Sequence, residues 1–486
     1  MLNNQSFTIY NASAGSGKTY TLVKEYLKIL FKSKNKEPFK QILAITFTNK
    51  AVNEMKERII ETLKEFSDKT ILTNPNSMFS AISEELNVDA FALHSKSYLL
   101  LDSIVHNYAA FDISTIDKFT HKLIRTFAHD LKLPLNFEVE LDQDILLTEA
   151  VDSLISKAGL DKSLTKTLVD FAIEKADDDK SWDISYDFNK IAKLLINEND
   201  LPFIEALSDK STEDFTQLKL LLKHRIKNTK NKITEMANAT LTLIEECGLE
   251  YDDFSGKYLP KHFDSLRSKK YHVNFNTKWQ SDLLENNSIY PKRVTQDVAD
   301  IIDSIQPQLL DAFKITKEGV FNFKFLAAIY KNITPLSVLN AIHKELNNIK
   351  TEQNKMLISE FNSIISNEIK DQPTPFIYER LGEKFKHYFI DEFQDTSVLQ
   401  WKNLIPLIAN GSAMLVGDAK QAIYRWRGGE AEQFINLFDQ TVEPFQIKQK
   451  VYNLPTNYRS YKEVINFNNG FFKHTASLVF KNPNYE

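Results

Sequence analysis

The spacing of apolar residues changes character twice along the chain. Near the N-terminus, residues 6–12 (SFTIYNA), 42–47 (ILAITF) and 112–116 (DISTI) are short apolar runs that predict strands. Between the first two, Leu22, Tyr26, Ile29 and Leu30 recur at helical spacing, and a second helix is predicted from about Asn49 to Phe66. Strand-like runs return at 388–390 (YFI) and 413–417 (AMLVG). From about 135 to 375 the period is helical, as in 152–176 and 351–370; Pro202, Pro260, Pro307 and Pro335 punctuate it, and Pro373 and Pro375 close it. No internal repeat or low-complexity tract interrupts the pattern. The expectation is an α/β domain with a parallel sheet built from both ends of the chain, interrupted by a large, mainly helical insertion. Its segments are expected at 1–134, 135–375 and 376–450, with 451–486 opening a further domain.

Composition narrows this little. The 486 residues are 42% hydrophobic and 26% charged, enough for a sizeable core. A net charge of −5 means that any nucleic-acid binding rests on local patches. Cys247 is the one cysteine, which excludes internal disulfides and cysteine-based metal sites within this chain. No continuous apolar run approaches a membrane span, and the N-terminus lacks a signal pattern. A cytoplasmic protein with no membrane partner is expected.

The first chemical signal joins the first strand to its helix. Ala12, Ser13, Ala14, Gly15, Ser16, Gly17, Lys18 and Thr19 fit the P-loop pattern, with alanine in the first glycine position. Gly15 and Gly17 let backbone N–H groups turn inward around a phosphate, and the helix presents its positive end to the same anion. Lys18 reaches the β- and γ-phosphates, and the Thr19 hydroxyl is placed to ligate Mg²⁺. A chance glycine turn is the alternative; the strand before and the helix after argue against it.

A P-loop needs acid at the end of another strand. Residues 386–397 (KHYFIDEFQDTS) supply Asp391 for the cation and Glu392 to orient and deprotonate water, at the carboxyl edge where ligands of parallel sheets bind. After 413–417, Gln421 lies where it could touch a γ-phosphate. Tyr424, Arg425, Trp426 and Arg427 interleave rings with cations, the chemistry that stacks bases and neutralises backbone. A half-buried tryptophan with snorkelling arginines is the plainer reading, but Gly428 and Gly429 mark an exposed turn. A second basic and aromatic stretch, 256–280, has six Lys/Arg against Asp264 and reads either as a DNA contact or as a solvated face backed by core aromatics.

Taken together, ASAGSGKT, ILAITFTNKAVNEMKERI (42–59), DEFQDTS, VGDAKQAIYRWRGG and LPTNYRS (454–460) resemble the ordered motifs of UvrD/Rep-type superfamily 1 DNA helicases, and more narrowly the RecB/AddA-like branch. The resemblance implies a RecA-like P-loop NTPase domain with an accessory insertion, using ATP and Mg²⁺ to move 3′→5′ on single-stranded DNA. It implies that Gln421 senses the γ-phosphate, Tyr458 stacks on adenine, Arg459 contacts the γ-phosphate and Gln5 reads the adenine edge. Thr46, Phe47, Thr48 and Asn49 match the loop that touches single-stranded DNA, joined there by Tyr424, Trp426 and Arg427. Two departures stand out. Asp117 occupies a position where the family usually has histidine, and the family's later motifs do not follow 457–460 in this sequence, which reads as an N-terminal portion of a longer protein. Implied partners are single-stranded DNA, single/double-strand junctions, and a nuclease or helicase partner subunit. The alternatives are a nucleotide-gated DNA-binding module that does not translocate, and a small-molecule P-loop kinase or transporter ATPase; the second would have no use for the DNA-type motifs.

Overall fold

A computed structural model describes residues 6–131, 133–134, 136–140, 142–177, 183–370, 384–409 and 411–479. The chain divides into two compact units. One gathers Met1–Gln143, Leu195–Pro202 and Ile349–Glu486; the other consists of Asp144–Leu194 and Phe203–Asn348.

The first unit is organised by strands β1 (Phe7–Asn11), β2 (Ile42–Thr46), β3 (Ile113–Thr115), β4 (Glu138–Glu140), β5 (Lys355–Leu357), β6 (His387–Ile390), β7 (Ser412–Gly417) and β8 (Gln449–Asn453). Six of them form one parallel sheet in the order β3-β2-β6-β7-β1-β8, and β4 pairs with β5 separately. Registers such as Ile9 opposite Leu415 and Ile45 opposite Ile390 join strands from the two distant ends of the sequence. The central strands are apolar throughout because both sheet faces are covered. Leu43, Ile45, Tyr388, Ile390 and Leu415 face one core, with Phe127, Phe361 and Trp401, while Ile42, Ala44, Phe389, Met414 and Val416 face the other, with Tyr26, Ile59 and Phe66.

Three expectations need correction. The strand β8 crosses the boundary expected at 450/451: it pairs parallel to β1, Phe7 opposite Gln449, so it completes the first sheet rather than opening a further domain. The insertion is shorter than 135–375. Helix Glu360–Lys370 belongs to the sheet-bearing unit because Phe361 and Ile365 are buried in its core, and Leu195–Pro202 returns to that unit from within the insertion. Pro307 and Pro335 lie inside one helix, Gln296–Ser337, rather than between elements. Proline removes one backbone donor, but the continuous burial of Ile302, Leu309, Phe313 and Val320 outweighs that loss. Pro373 and Pro375 fall outside the described residues.

In the second unit the long helices Thr212–Glu246 and Gln296–Ser337 pack antiparallel, since Phe215 and Leu222 meet Leu326 and Ile333, while Ile233 and Ile244 join Ile302 and Val320. They approach closely at Gly319, where a Cβ would lie 2.8 Å from Ile233 Cγ1. One stretch within the helical span Gln296–Gln353 is long and apolar enough to cross a membrane by length and composition; 39% of that stretch is buried, and the span carries the buried Ile302, Phe313, Val320, Leu339 and Ile342. In the basic stretch 256–280 an exposed charged face lies over a core, an arrangement compatible with either reading of it. Phe263 and Tyr271 are buried, Phe275 and Trp279 pack against the same cluster, and Lys257 and Arg267 pair with Asp252 and Asp264.

His262 sits in that core with ring centroids 5.3–5.7 Å from Phe263, Phe275, Trp279 and Phe313, its Nε2 buried without a partner. Burial pushes its pKa from 6.5 down to about 4. The folded form therefore resists a proton that the unfolded chain accepts. Its contribution to stability is intact above pH 6.5 and is lost as pH falls toward 4. Within that window wild type should lose up to about 1.4 kcal/mol per pH unit more than His262→Leu. Urea midpoints of the two proteins between pH 7 and 4 check this; parallel curves would contradict it.

Candidate nucleotide site beside an aromatic, cationic face

The loop between β1 and helix Lys18–Lys32 takes the conformation its glycines permit. Gly15 has φ +81° and Gly17 φ +88°, backbone that other residues rarely adopt. Gly15 also has no room for a side chain: a Cβ there would stand 2.7 Å from Arg459 Cβ and 2.8 Å from Asn457 Oδ1. The 457–460 segment is clamped onto the loop, with Tyr458 N–H donating to Gly15 O at 2.8 Å and Asn457 Nδ2 donating to Ala14 O at 2.9 Å. Ala12 is buried, while Ser13 and Ala14 stand at the exposed rim. Ser16 is buried with its Oγ unpartnered, a donor inside an anion cradle. Such an orphan fits a phosphate oxygen.

A solvent-open cavity of about 530 Å³ is lined by Gly15, Gly17, Lys18, Thr19, Asp391, Glu392, Gln421, Tyr458 and Arg459. The two ends of the chain thus meet where the sequence motifs require. Lys18 Nζ donates to both carboxylate oxygens of Glu392 at 2.9 Å. Glu392 holds a left-handed backbone, φ +51°, at the end of β6, a conformation unusual for a side chain of this kind and characteristic of functional sites. Gln394 Nε2 donates to Glu392 at 2.7 Å, and Gln394 Oε1 accepts from Asp418 N–H at 3.0 Å. Asp418 then accepts from Gln421 Nε2 at 2.6 Å. One hydrogen-bonded chain runs from the acidic motif to the Gln421 loop.

Asp391 is deeply buried, and that burial, with the neighbouring Glu392 charge, raises its pKa to about 7 against the opposing pull of Lys18. A carboxylate held this way favours a cation beside it. Among the described residues no group of three or more His, Cys, Asp or Glu could hold a metal by itself, so a cation between Thr19 and Asp391 would draw its remaining ligands from phosphate and water. The sign for the unliganded protein follows directly. The folded state keeps a proton that the unfolded chain sheds above pH 3.8, so this contribution to stability fades as pH rises toward 7. Asp391→Asn should stabilise the nucleotide-free chain at pH 8 by roughly 2–4 kcal/mol, with little gain at pH 4. Thermal unfolding at the two pH values tests this, and a destabilised mutant at pH 8 would contradict it.

The DNA-type residues gather on a neighbouring face. The Phe47 and Tyr424 rings lie 4.5 Å apart, Trp426 is 6.3 Å from Tyr424, and the Arg427 guanidinium stands 5.4 Å from Phe47 and 5.9 Å from Trp426. Trp426 is 74% exposed, so its ring is open to a base. Asp117 lies 3.7 Å from Arg427 and so places an acid at this face. Thr48 and Asn49 are exposed, and Thr48 caps helix Asn49–Ser67 by accepting from Ala51 N–H. Thr46 departs from expectation: it is buried at the end of β2 and its hydroxyl donates to Thr48 O at 3.2 Å, which shapes the loop rather than exposing a contact. Gln5 lies outside the described residues.

Sequence reasoning passed over Glu54, Met55 and Arg58, which also line the cavity, with Arg58 paired to Glu54 at 2.8 Å. The signal was available: positions 51, 54, 55 and 58 share one face of the helix that follows the DNA-type loop.

A parallel sheet whose first loop is a P-loop and whose strand β6, two places from β1 in the sheet, ends in an acid pair facing that loop defines a RecA-like P-loop NTPase domain. Residues 2–442 match the model of the UvrD/REP helicase N-terminal domain, and the chain belongs to that family. It is similar to proteins named as subunits of an ATP-dependent helicase/nuclease: 25% identical over 96% of this chain in Streptococcus mutans serotype c, 25% over 96% in Clostridium novyi and 27% over 98% in Lactobacillus johnsonii. These relatives place it with the RecB/AddA-like branch. The chain spans 37–40% of the length of those three relatives.

Proposed function

We propose that this chain is the ATP-binding portion of an ATP-dependent DNA helicase or translocase, acting on single-stranded DNA and its junctions with duplex in recombination or double-strand break repair. The observation that carries the reading is the shared cavity of Lys18, Thr19, Asp391, Glu392, Gln421, Tyr458 and Arg459, joined through Gln394 and Asp418 to the loop that leads into the Trp426 face. The named relatives support the class. Movement 3′→5′, a cytoplasmic location and a nuclease or helicase partner subunit go with the same reading.

In this scheme the Gly15–Gly17 loop and Ser16 cradle the triphosphate, Tyr458 covers the base and Arg459 meets the terminal phosphate. Lys18 leaves Glu392 for the phosphates, and that exchange frees Glu392 to accept the proton of the attacking water. Thr19 and Asp391 would hold Mg²⁺, which when bound neutralises charge developing on the phosphate oxygens. Gln421 passes the change to the neighbouring turn, where Trp426 and Tyr424, with Phe47 of the loop after β2 beside them, stack on bases and Arg427 meets backbone. ATP turnover measured with and without a single-stranded oligonucleotide tests the class, because a small-molecule kinase or transporter ATPase would ignore the DNA.

A second reading, a nucleotide-gated DNA-binding module without translocation, draws support from the Lys18–Glu392 ion pair, which ties up the base in this state. It predicts nucleotide and DNA binding by the 486-residue chain with little DNA-stimulated turnover; robust unwinding would exclude it.

A further inference from the structure

The segment Leu195–Pro202 belongs to the sheet-bearing unit, although the chain on either side of it, Asp144–Leu194 and Phe203–Asn348, forms the other. It carries one carboxylate inward. Glu198 accepts from Ser397 Oγ at 2.5 Å and from Asn362 Nδ2 at 2.6 Å. Both donors are almost inaccessible to water, Ser397 at 2% and Asn362 at 5% exposure, so neither finds a substitute acceptor if Glu198 is removed. Asn362 is itself fixed, its carbonyl accepting from Asn403 Nδ2 at 2.8 Å.

Ser397 is the last residue of the acidic motif and the cap of helix Val398–Ile408, where its Oγ accepts from Gln400 N–H. It also forms an antiparallel bridge to Gly429. Beside it, Thr396 O accepts from Glu430 N–H at 3.1 Å and from Gln433 Nε2 at 3.0 Å. A Cβ at Gly429 would stand 3.0 Å from Asp395 O, so the turn 424–429 leans directly on the acidic motif. That turn presents Tyr424, Trp426 and Arg427. The charged neighbours of the arrangement are Asp117 and the Arg427 paired to it.

We infer that Glu198 is a positioning residue: by holding Ser397 it keeps the turn that carries Trp426 and Arg427 in register with the acidic motif at the nucleotide cavity. The strap that links the two helical stretches of the insertion in sequence thus brings a half-buried carboxylate to the junction between ATP chemistry and DNA contact. The DNA half of this inference rests on the function proposed above; the structural half does not.

The test uses the 486-residue chain as wild type, Glu198→Ala and Glu198→Gln. Hydrogen exchange of residues 423–430 is measured first, then the affinities for a fluorescent Mg²⁺–ATP analogue and for a single-stranded oligonucleotide. Glu198→Ala should speed exchange at Gly429 and Glu430 about tenfold and weaken oligonucleotide binding about tenfold, with nucleotide affinity within about twofold of wild type, on the scale of the charge-assisted hydrogen bond that holds Ser397, the one of the two lost that reaches the turn. Glu198→Gln keeps an acceptor and should recover most of both losses. Unchanged exchange in Glu198→Ala would overturn the inference. So would equal weakening of both ligands together with a lowered Tm, the mark of general destabilisation. Should the wild-type chain bind no oligonucleotide, the proposed function falls, while the exchange measurement still decides the role of Glu198.

Discussion

Glu392→Gln is expected to bind ATP at least as tightly as wild type and to lose turnover by a factor of about 10²–10⁴, the usual contribution of a positioned general base. The geometry gives both halves of that result. Glu392 is the acid at the cavity that Lys18 grips through both oxygens, so the mutation removes the base and releases the lysine at once. Glutamine retains the size needed to sit beside Gln394, so the loop does not collapse. Nucleotide affinity by equilibrium titration and hydrolysis by single-turnover assay, with and without DNA, provide the check. Turnover at the wild-type rate would remove Glu392 from the mechanism. A large loss of affinity would instead make it a binding residue.

Trp426→Ala should weaken single-stranded DNA binding about 10–100-fold, since stacking one base on an aromatic ring is worth roughly 1–3 kcal/mol. The ring is exposed, with Tyr424 6.3 Å away as its aromatic neighbour, so its removal takes away a stacking surface without opening the core. The salt dependence of binding should not change, because no phosphate contact is lost. Arg427→Ala should do the reverse, flattening the slope of log K against log salt by about 0.7 while costing less affinity at high salt. Fluorescence anisotropy across a salt series separates the two. A Trp426→Ala protein with wild-type affinity would move the DNA site elsewhere.

What could be read from sequence was local. Parallel strands buried on both faces are short apolar runs, so β1, β2, β6 and β7 were visible, and the glycines of the P-loop announced their own backbone conformation. Asp391 and Glu392 were legible only beside the P-loop, which needs acid at the end of a partner strand; alone, acid after an apolar run usually marks a strand leaving the core. Whatever depended on distant pairing was not. The alternating residues of β8 are mostly solvated on one side and gave no apolar run, and only pairing with β1 makes them a strand. The burial of Thr46 depends on the loop it shapes. Glu198 is one acid in a polar segment, and nothing near it in sequence points to Ser397. Pro307 misled because the penalty it carries is a local quantity, whereas the helix around it is held by residues from the opposite helix.

The most direct test of the central claim, that both ends of the chain converge on one Mg²⁺-bound triphosphate, is the Mg²⁺ dependence of ATP-analogue binding in wild type and Asp391→Asn. Wild type should bind at least about tenfold more tightly with Mg²⁺ than with chelator, and Asp391→Asn should lose most of that difference while keeping its chelator-state affinity. A mutant that retained the whole Mg²⁺ effect would mean that Asp391, some 370 residues from Lys18 in sequence, takes no part in the site where the P-loop holds its nucleotide.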